Sequence, residues 1–218
     1  MHVSSKNILT IDPPFRFKTG EIFNDPLFIA YETYGDLNDK KDNAILVTTG
    51  LSPSAHLCST SDDQSPGWWE KIAGEGKYID TQKYFVICIN SLGSCYGSSG
   101  PASFKPDADV KYGLSFPEVT IEDMALSMKP VIDELGIKTL HSIIGPSMGG
   151  MTAMSLVKQF PSITKNLILI STAASCRPFS IAVRSLQRKL ITSDQNWKEG
   201  KYQDKDLPLD GMKQARYL

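Results

Sequence analysis

The chain has 218 residues, of which 41% are hydrophobic and 22% charged, a composition typical of a folded globular domain with its own core. Its net charge of −1 gives no electrostatic argument for binding nucleic acid or an acidic membrane surface. No apolar run is long enough for a transmembrane helix and residues 1–7 lack the apolar core of a secretion signal, so we expect a cytoplasmic protein.

The first half of the chain predicts mainly strands and loops. Four segments rich in β-branched and aromatic residues are expected to be strands: 15–18, 27–34, 43–48 and 84–89. The first two are expected to be joined by a turn near Gly20, and Trp68 is expected to begin a short helix. The glycine- and serine-rich loop 93–101 has the composition of a phosphate cradle but lacks the Lys-Ser/Thr ending, so a P-loop is rejected.

The second half alternates helices with strands. Residues 120–123 form a capping-box pattern that predicts a helix from there to Leu135, with Gly136 as its stop and Pro130 kinking or splitting it. The later elements are predicted as a strand at 140–144, a helix at 151–157, a strand at 166–171 and a helix at 178–191. This alternation predicts an α/β protein, with a mostly parallel sheet and helices on both faces.

The most informative motif lies between the predicted strand at 140–144 and the helix after it. The residues Gly145-Pro146-Ser147-Met148-Gly149 fit Gly-x-Ser-x-Gly, the nucleophile elbow of α/β-hydrolase enzymes. The motif alone is weak, but the strand before it and the helix after it are the context that it demands. The pattern predicts an α/β-hydrolase fold with Ser147 as the nucleophile.

A second loop fits the same chemistry. An α/β-hydrolase binds its oxyanion with the N–H of the residue after the nucleophile, here Met148, and with an N–H from the loop after an early strand. Gly50 and Leu51 follow the predicted strand 43–48 and are placed to supply it. Without the elbow, this loop would be read as an ordinary turn.

The histidines do not complete this site. The fold orders its triad as Ser, then Asp or Glu, then His, yet His2, His56 and His141 all precede Ser147. His141 is expected to be a core residue. His56 lies in the predicted oxyanion loop, but its place in the chain makes it a poor base.

No metal site is predicted. The histidines are too few and too scattered to form one. The four cysteines match no zinc or CxxC spacing, so they are expected to be reduced thiols: Cys58, Cys88, Cys95 and Cys176.

The last residues, 210–218, are predicted to begin a helix in which the sequence stops. Together with the missing base, this suggests an incomplete copy of a longer enzyme. We therefore expect the chain alone to show little or no catalytic activity, because losing a triad member typically removes several orders of magnitude in rate. We also expect an exposed sheet edge and apolar surface.

The whole chain resembles the homoserine O-acetyltransferase family of the α/β-hydrolase superfamily. The loop Cys95-Tyr96-Gly97-Ser98-Ser99-Gly100-Pro101, combined with Gly-x-Ser-Met-Gly-Gly, is far more specific than the elbow alone. Further matching segments are 43–56, 68–81, 84–88, 171–174, 181–182, 187–188 and 215–216.

The resemblance implies an acyltransferase of methionine biosynthesis that moves an acetyl group from acetyl-CoA to homoserine through an acyl-serine. It implies Ser147 as nucleophile, Leu51 and Met148 as oxyanion N–H donors, Arg216 as the ligand of the amino acid's carboxylate, and Ser52 near the pocket. No bound cofactor is implied, since acetyl-CoA or succinyl-CoA is a co-substrate, and the partners are small molecules and a second copy in a homodimer. Residues 1–175 would be the N-terminal part of the core domain and residues 176–218 the start of a helical lid. The triad aspartate and histidine would lie beyond Leu218.

The chain departs from the family pattern in two places. Ser52-Pro53 stands where the family usually has Thr-Gly, and Pro146 where it usually has Gly. These differences are consistent with another donor or acceptor. The alternatives kept open are therefore a serine or homoserine O-succinyltransferase, a serine esterase on the same fold, and an inactive remnant.

Overall fold

The computed structural model describes residues 7–202 and 205–218. The prediction made for the N-terminal segment, and His2 with it, falls largely on residues 1–6, outside the described residues. In chain order the strands are β1 (Asn7–Ile11), β2 (Phe15–Arg16), β3 (Ile22–Phe23), β4 (Leu27–Tyr34), β5 (Ala44–Thr48), β6 (Ala73–Gly74), β7 (Ile79–Asp80), β8 (Phe85–Ile89), β9 (Leu140–Pro146) and β10 (Thr164–Ile170). The helices are α1 (Ile121–Glu134), α2 (Met148–Gln159), α3 (Pro178–Thr192) and α4 (Leu209–Arg216), with short 3-10 turns at Gly113–Ser115 and Lys198–Gly200.

A six-stranded sheet organises the chain, in the order β1-β4-β8-β5-β9-β10. The strands β8, β5, β9 and β10 run parallel to one another, whereas β4 pairs antiparallel with both β1 and β8. All five residues of β5 are buried, because this strand has neighbours on both sides and cover on both faces. The predicted mainly parallel α/β sheet is therefore confirmed.

The two faces of the sheet are covered differently. Apolar residues of α1 and α2, including Met128 and Leu156, pack on one face against Leu46 and Ile87. The other face is covered by the irregular segment 55–84, whose adjacent Trp68 and Trp69 pack against a second cluster of buried residues. The strand β10 lies at the edge, and the four apolar residues at its end keep 36–45% of their surface exposed.

Several local predictions are confirmed. The capping box is present, since the Thr120 side chain accepts from the Asp123 N–H and the Asp123 side chain accepts from the Thr120 N–H. The helix α1 ends at Glu134 with Leu135 as its C-cap, and Gly136 follows with a φ of 69°, a conformation that favours glycine. Pro130 lies inside α1 without splitting it, so that part of the expectation is wrong. The last helix, α4, ends at Arg216.

Two predictions in the first half are wrong. Residues 68–72 form hydrogen-bonded turns and no helix: the Ile72 and Ala73 N–H groups donate to the Trp69 carbonyl, and the chain then enters β6 at Ala73. The turn at Gly20 joins β2 to β3 in a small hairpin and does not join β2 to β4, which pairs with β1. The strand β1 was not predicted at all.

The C-terminal helices form their own contact. No residue of α3 is buried, and its Gln187 side chain donates to the Ala215 carbonyl of α4 at 2.9 Å. The assignment of residues 176–218 to a lid stays a prediction. Across the described ranges, no helix combines the length and the apolar character that crossing a membrane would need.

Candidate active site

Ser147 is held in a backbone conformation that few residues other than glycine adopt. Its φ is 54° and its ψ is −125°, a combination that costs on the order of 1–3 kcal/mol for a residue with a side chain. Its N–H donates to the Ile170 carbonyl at 2.9 Å, and its own carbonyl accepts from the Gly150 N–H at 3.0 Å. The residue is exposed on the sharp turn between β9 and α2. The strand–turn–helix arrangement is confirmed, and the role of Ser147 as nucleophile stays a prediction.

The sharp turn depends on glycines around it. A Cβ on Gly149 would lie 2.3 Å from the Thr48 carbonyl oxygen, and a Cβ on Gly145 would lie 2.6 Å from the Gly150 Cα. A Cβ on Gly150 would lie 2.5 Å from a methyl group of Thr172. Because real Cβ atoms essentially never come within 3.0 Å of such atoms, the strand and the helix approach this closely only with glycine.

A cavity of about 740 Å³ lies beside the turn. Four of the five predicted site residues line it: Leu51, Ser52, Met148 and Arg216. The fifth, Ser147, directly precedes Met148. Most of the remaining wall comes from the glycine- and serine-rich loop after β8 and from residues around 113–116. The structure thus brings together predicted site residues from three separated parts of the chain, at 51–52, 147–148 and 216.

The two predicted N–H donors occupy suitable backbone positions. Met148 is the first residue of α2, so its N–H has no acceptor within the helix. Leu51 follows β5 and is 66% exposed. The Thr48 hydroxyl at the end of β5 donates to the Gly149 carbonyl at 2.8 Å, which ties the start of the loop to the first turn of α2. The roles of both donors stay predictions.

Cations are the charged groups on this cavity wall. Arg216 lies in the last turn of α4, next to the buried Ala215, and Lys111 also lines the cavity. Within the described part of the chain, no carboxylate lines the cavity. A guanidinium here suits the bidentate binding of a carboxylate.

Neither described histidine lines this cavity. The His141 ring lies 5.1 Å from the Tyr84 ring, and its Nδ1 lies 2.8 Å from the Ser142 hydroxyl. His56 is buried, with its Nε2 2.9 Å from the Ser65 carbonyl oxygen. A base for Ser147 is therefore not found among the described residues.

A buried polar network below the loop was missed from the sequence. The Glu32 side chain on β4 is 1% exposed and accepts from the Tyr34 hydroxyl at 2.8 Å, while its Oε2 lies 3.1 Å from the His56 Nδ1. The Tyr34 hydroxyl also accepts from the Leu57 N–H at 2.7 Å. The available signal was a lone carboxylate in the otherwise apolar and aromatic strand 27–34.

The chain is similar to known proteins of the α/β-hydrolase fold and to curated O-acyltransferases. A family model described as the alpha/beta hydrolase fold matches residues 43–218. Among curated relatives, the chain is 49% identical over 205 residues to a serine O-succinyltransferase of Xanthomonas campestris pv. campestris, covering 94% of this chain and 54% of that protein. It is 52% identical over 190 residues to an L-serine/homoserine O-acetyltransferase of Streptomyces lavendulae, covering 87% of this chain and 51% of that protein. The chain thus spans about half the length of the curated relatives it matches.

Solved structures of an acyltransferase and an esterase share the fold of this chain. The chain superposes on homoserine O-acetyltransferase from Bacillus anthracis with a TM-score of 0.88 at 32% identity, covering 99% of this chain and 59% of that one. It superposes on esterase E22 with a TM-score of 0.85 at 33% identity, covering 96% and 59%. The resemblance to the homoserine O-acetyltransferase family is confirmed by these relatives.

Proposed function

The chain belongs to the α/β-hydrolase family, and from this premise we propose that the protein containing it is an O-acyltransferase. It would move an acyl group from acyl-CoA to the side-chain hydroxyl of serine or homoserine. The observation that carries the proposal is the strained, exposed Ser147 next to a cavity that also holds Leu51, Met148 and Arg216. The names of the relatives support the acyl transfer and leave both acetyl and succinyl donors in play.

In the first half-reaction, the Ser147 oxygen attacks the thioester carbonyl. The C–S bond breaks, CoA leaves as the thiol, and the acyl group remains on the serine. The serine proton needs a base, which we place outside the described residues because neither His56 nor His141 lines the cavity. The negative charge on the carbonyl oxygen would be bound by the N–H groups of Leu51 and Met148, each worth about 3 kcal/mol in the transition state.

In the second half-reaction, the amino acid's hydroxyl attacks the acyl-serine and restores the Ser147 hydroxyl. Arg216 would hold the amino acid's carboxylate, so that its hydroxyl is presented to the acyl carbon. Transfer exceeds hydrolysis only where the acceptor is held and water is excluded. Apolar wall residues such as Leu114, Phe116 and Trp197 serve that exclusion.

A serine esterase is the second candidate, and the close superposition on esterase E22 favours it. The two functions differ in whether an amino-acid acceptor raises the rate. Thiol release from acetyl-CoA and from succinyl-CoA should be measured with and without serine or homoserine, alongside hydrolysis of p-nitrophenyl acetate. Mass spectrometry of the O-acylated amino acid identifies the product.

The protein tested should be the complete gene product, with Ser147→Ala as the variant and the isolated 218-residue chain in parallel. We expect acceptor-dependent thiol release, lost in the variant by several orders of magnitude. The isolated chain is expected to show little of it. Ester hydrolysis without any acceptor effect would replace the transferase by the esterase, and full activity of Ser147→Ala would refute both.

A further inference from the structure

The groups that face the two ring nitrogens of His56 favour protonation of both nitrogens. The Ser65 carbonyl oxygen, 2.9 Å from Nε2, can only accept, so Nε2 carries a hydrogen. The Glu32 Oε2 lies 3.1 Å from Nδ1 and also accepts from the Tyr34 hydroxyl, which lies 3.2 Å from the Ala55 carbonyl oxygen as well. Each ring nitrogen thus faces an oxygen that can accept, and this arrangement favours the doubly protonated ring beside the buried Glu32 side chain.

The other ionisable groups near Glu32 and His56 do not oppose protonation of the His56 ring. Asp63 on the neighbouring loop adds a second carboxylate, with its Oδ2 3.9 Å from the His56 Nδ1. Burial raises the pKa of the Cys58 thiol to about 11 and raises the pKa of Cys88 on β8 further, so both stay neutral near Glu32. Burial alone would lower the pKa of His56, but the Ser65 carbonyl and the carboxylates outweigh it and the net pKa is raised.

The same network fixes the end of the loop that carries Leu51. The Tyr34 hydroxyl accepts from the Leu57 N–H at 2.7 Å, and the His56 N–H donates to the Ser54 hydroxyl at 3.2 Å. The start of the loop is tied by the Thr48 hydroxyl, as described above. Leu51 lies on the exposed stretch between these two anchors, so its position depends on both.

We propose that Glu32 and His56 are positioning residues for the reaction, and that doubly protonated His56 holds the loop so that the Leu51 N–H can reach the developing oxyanion. The inference rests on the proposed function in taking Leu51 as an oxyanion donor. When Nδ1 loses its proton, a nitrogen lone pair faces the Glu32 carboxylate at 3.1 Å, and the two repel. The loop end then shifts, and the Leu51 N–H shifts with it.

The expected signature is a loss of kcat at alkaline pH. A donor moved from its place weakens only the transition state, so kcat should fall about tenfold while KM changes by less than about twofold. The pH–rate profile of the complete gene product, with the acyl-CoA and acceptor of the proposed reaction and with p-nitrophenyl acetate, measures this. Both substrates use the same oxyanion donors, so both should show the fall.

Glu32→Gln is the decisive variant. Its amide keeps the shape of the carboxylate and can donate to a neutral Nδ1, so the alkaline fall in kcat should be absent. His56→Gln should lack it as well. His141→Gln is the matched control, because the His141 ring contacts Ser142 and Tyr84 and not Glu32, and it should keep the wild-type alkaline fall. An alkaline fall that persists unchanged in Glu32→Gln, or that disappears in His141→Gln, overturns the proposal.

A second readout does not depend on activity. The ¹⁵N shifts of His56 at neutral pH should report two protonated ring nitrogens, and the Leu51 amide signal should titrate together with His56 in the wild type and not in Glu32→Gln. If no acyl transfer is found but these signals behave so, the proposed function fails, while the coupling between the His56 protonation state and the Leu51 loop stands. A neutral His56, or a Leu51 amide that ignores its titration, removes the positioning role even in an active transferase.

Discussion

Replacing Gly149 by alanine puts a methyl group where the structure has backbone. The new Cβ would lie 2.3 Å from the Thr48 carbonyl oxygen, so the two elements would have to separate by about 0.7 Å to reach the 3.0 Å that real Cβ contacts observe. Thr48 ends β5, the fully buried strand between β8 and β9, so the oxygen cannot move freely. The separation would also stretch the 2.8 Å bond from the Thr48 hydroxyl to the Gly149 carbonyl.

Overpacking of about 2 kcal/mol and a weakened hydrogen bond of about 1 kcal/mol together lower the free energy of unfolding by about 3 kcal/mol. At 2–4 °C per kcal/mol for a chain of this size, the melting temperature should fall by roughly 6–12 °C. Thermal melting followed by circular dichroism measures it.

Gly50→Ala is the matched control, because its Cβ would meet only ordinary contacts at 3.8 and 3.9 Å. Its melting temperature should stay within about 2 °C of the wild type, because the added methyl group would overlap no neighbouring atom. A Gly149→Ala protein with the melting temperature of the wild type would refute the close approach of β5 and α2.

Three further outcomes are expected. Tyr34→Phe leaves the buried Leu57 N–H without its acceptor and should lower the free energy of unfolding by about 1–3 kcal/mol in urea titrations, an unchanged midpoint arguing against the bond. Hydrogen bonds from the Lys77 ammonium and from backbone N–H groups lower the pKa of Glu70 to about 2. The stability that ionised Glu70 contributes is therefore present above the ordinary pKa of a glutamate and is lost as pH falls toward 2. Glu70→Gln should reduce this fall of the melting temperature at acid pH. The pKa of His56 is raised, so the pH dependence of its effect is reversed. The stability that protonated His56 contributes is present at acid pH and is lost as pH rises through the folded-state pKa. The wild type should therefore lose more stability on the alkaline side than His56→Gln.

The fold could be predicted where its signals are local. The capping box at Thr120 and the buried apolar runs of β5 and β8 are written in a few adjacent residues, and each appears in the structure. The segment at Trp68 could not be predicted in this way, because its N–H groups bond to carbonyls about twelve residues away in the chain. Trp68 and Trp69 pack against the cluster on the second face of the sheet, a contact between residues that are distant in the chain.

The site shows the same division. The turn at Ser147 was predictable because the motif and its flanking strand and helix are contiguous. The position of Arg216 in the same cavity came from the resemblance, since no local pattern relates α4 to the elbow. The Glu32–His56 pair joins β4 to a loop residue 24 positions later in the chain, and a lone carboxylate in a strand does not reveal its partner.

The left-handed backbone at Ser147 has a practical consequence for anyone evolving this protein. Glycine relieves that strain, so Ser147→Gly should be a stabilising change on thermodynamic grounds alone. A screen for heat-resistant clones would then enrich variants that lack the hydroxyl we propose as the nucleophile. Any thermostability campaign needs a counterselection for turnover at every round.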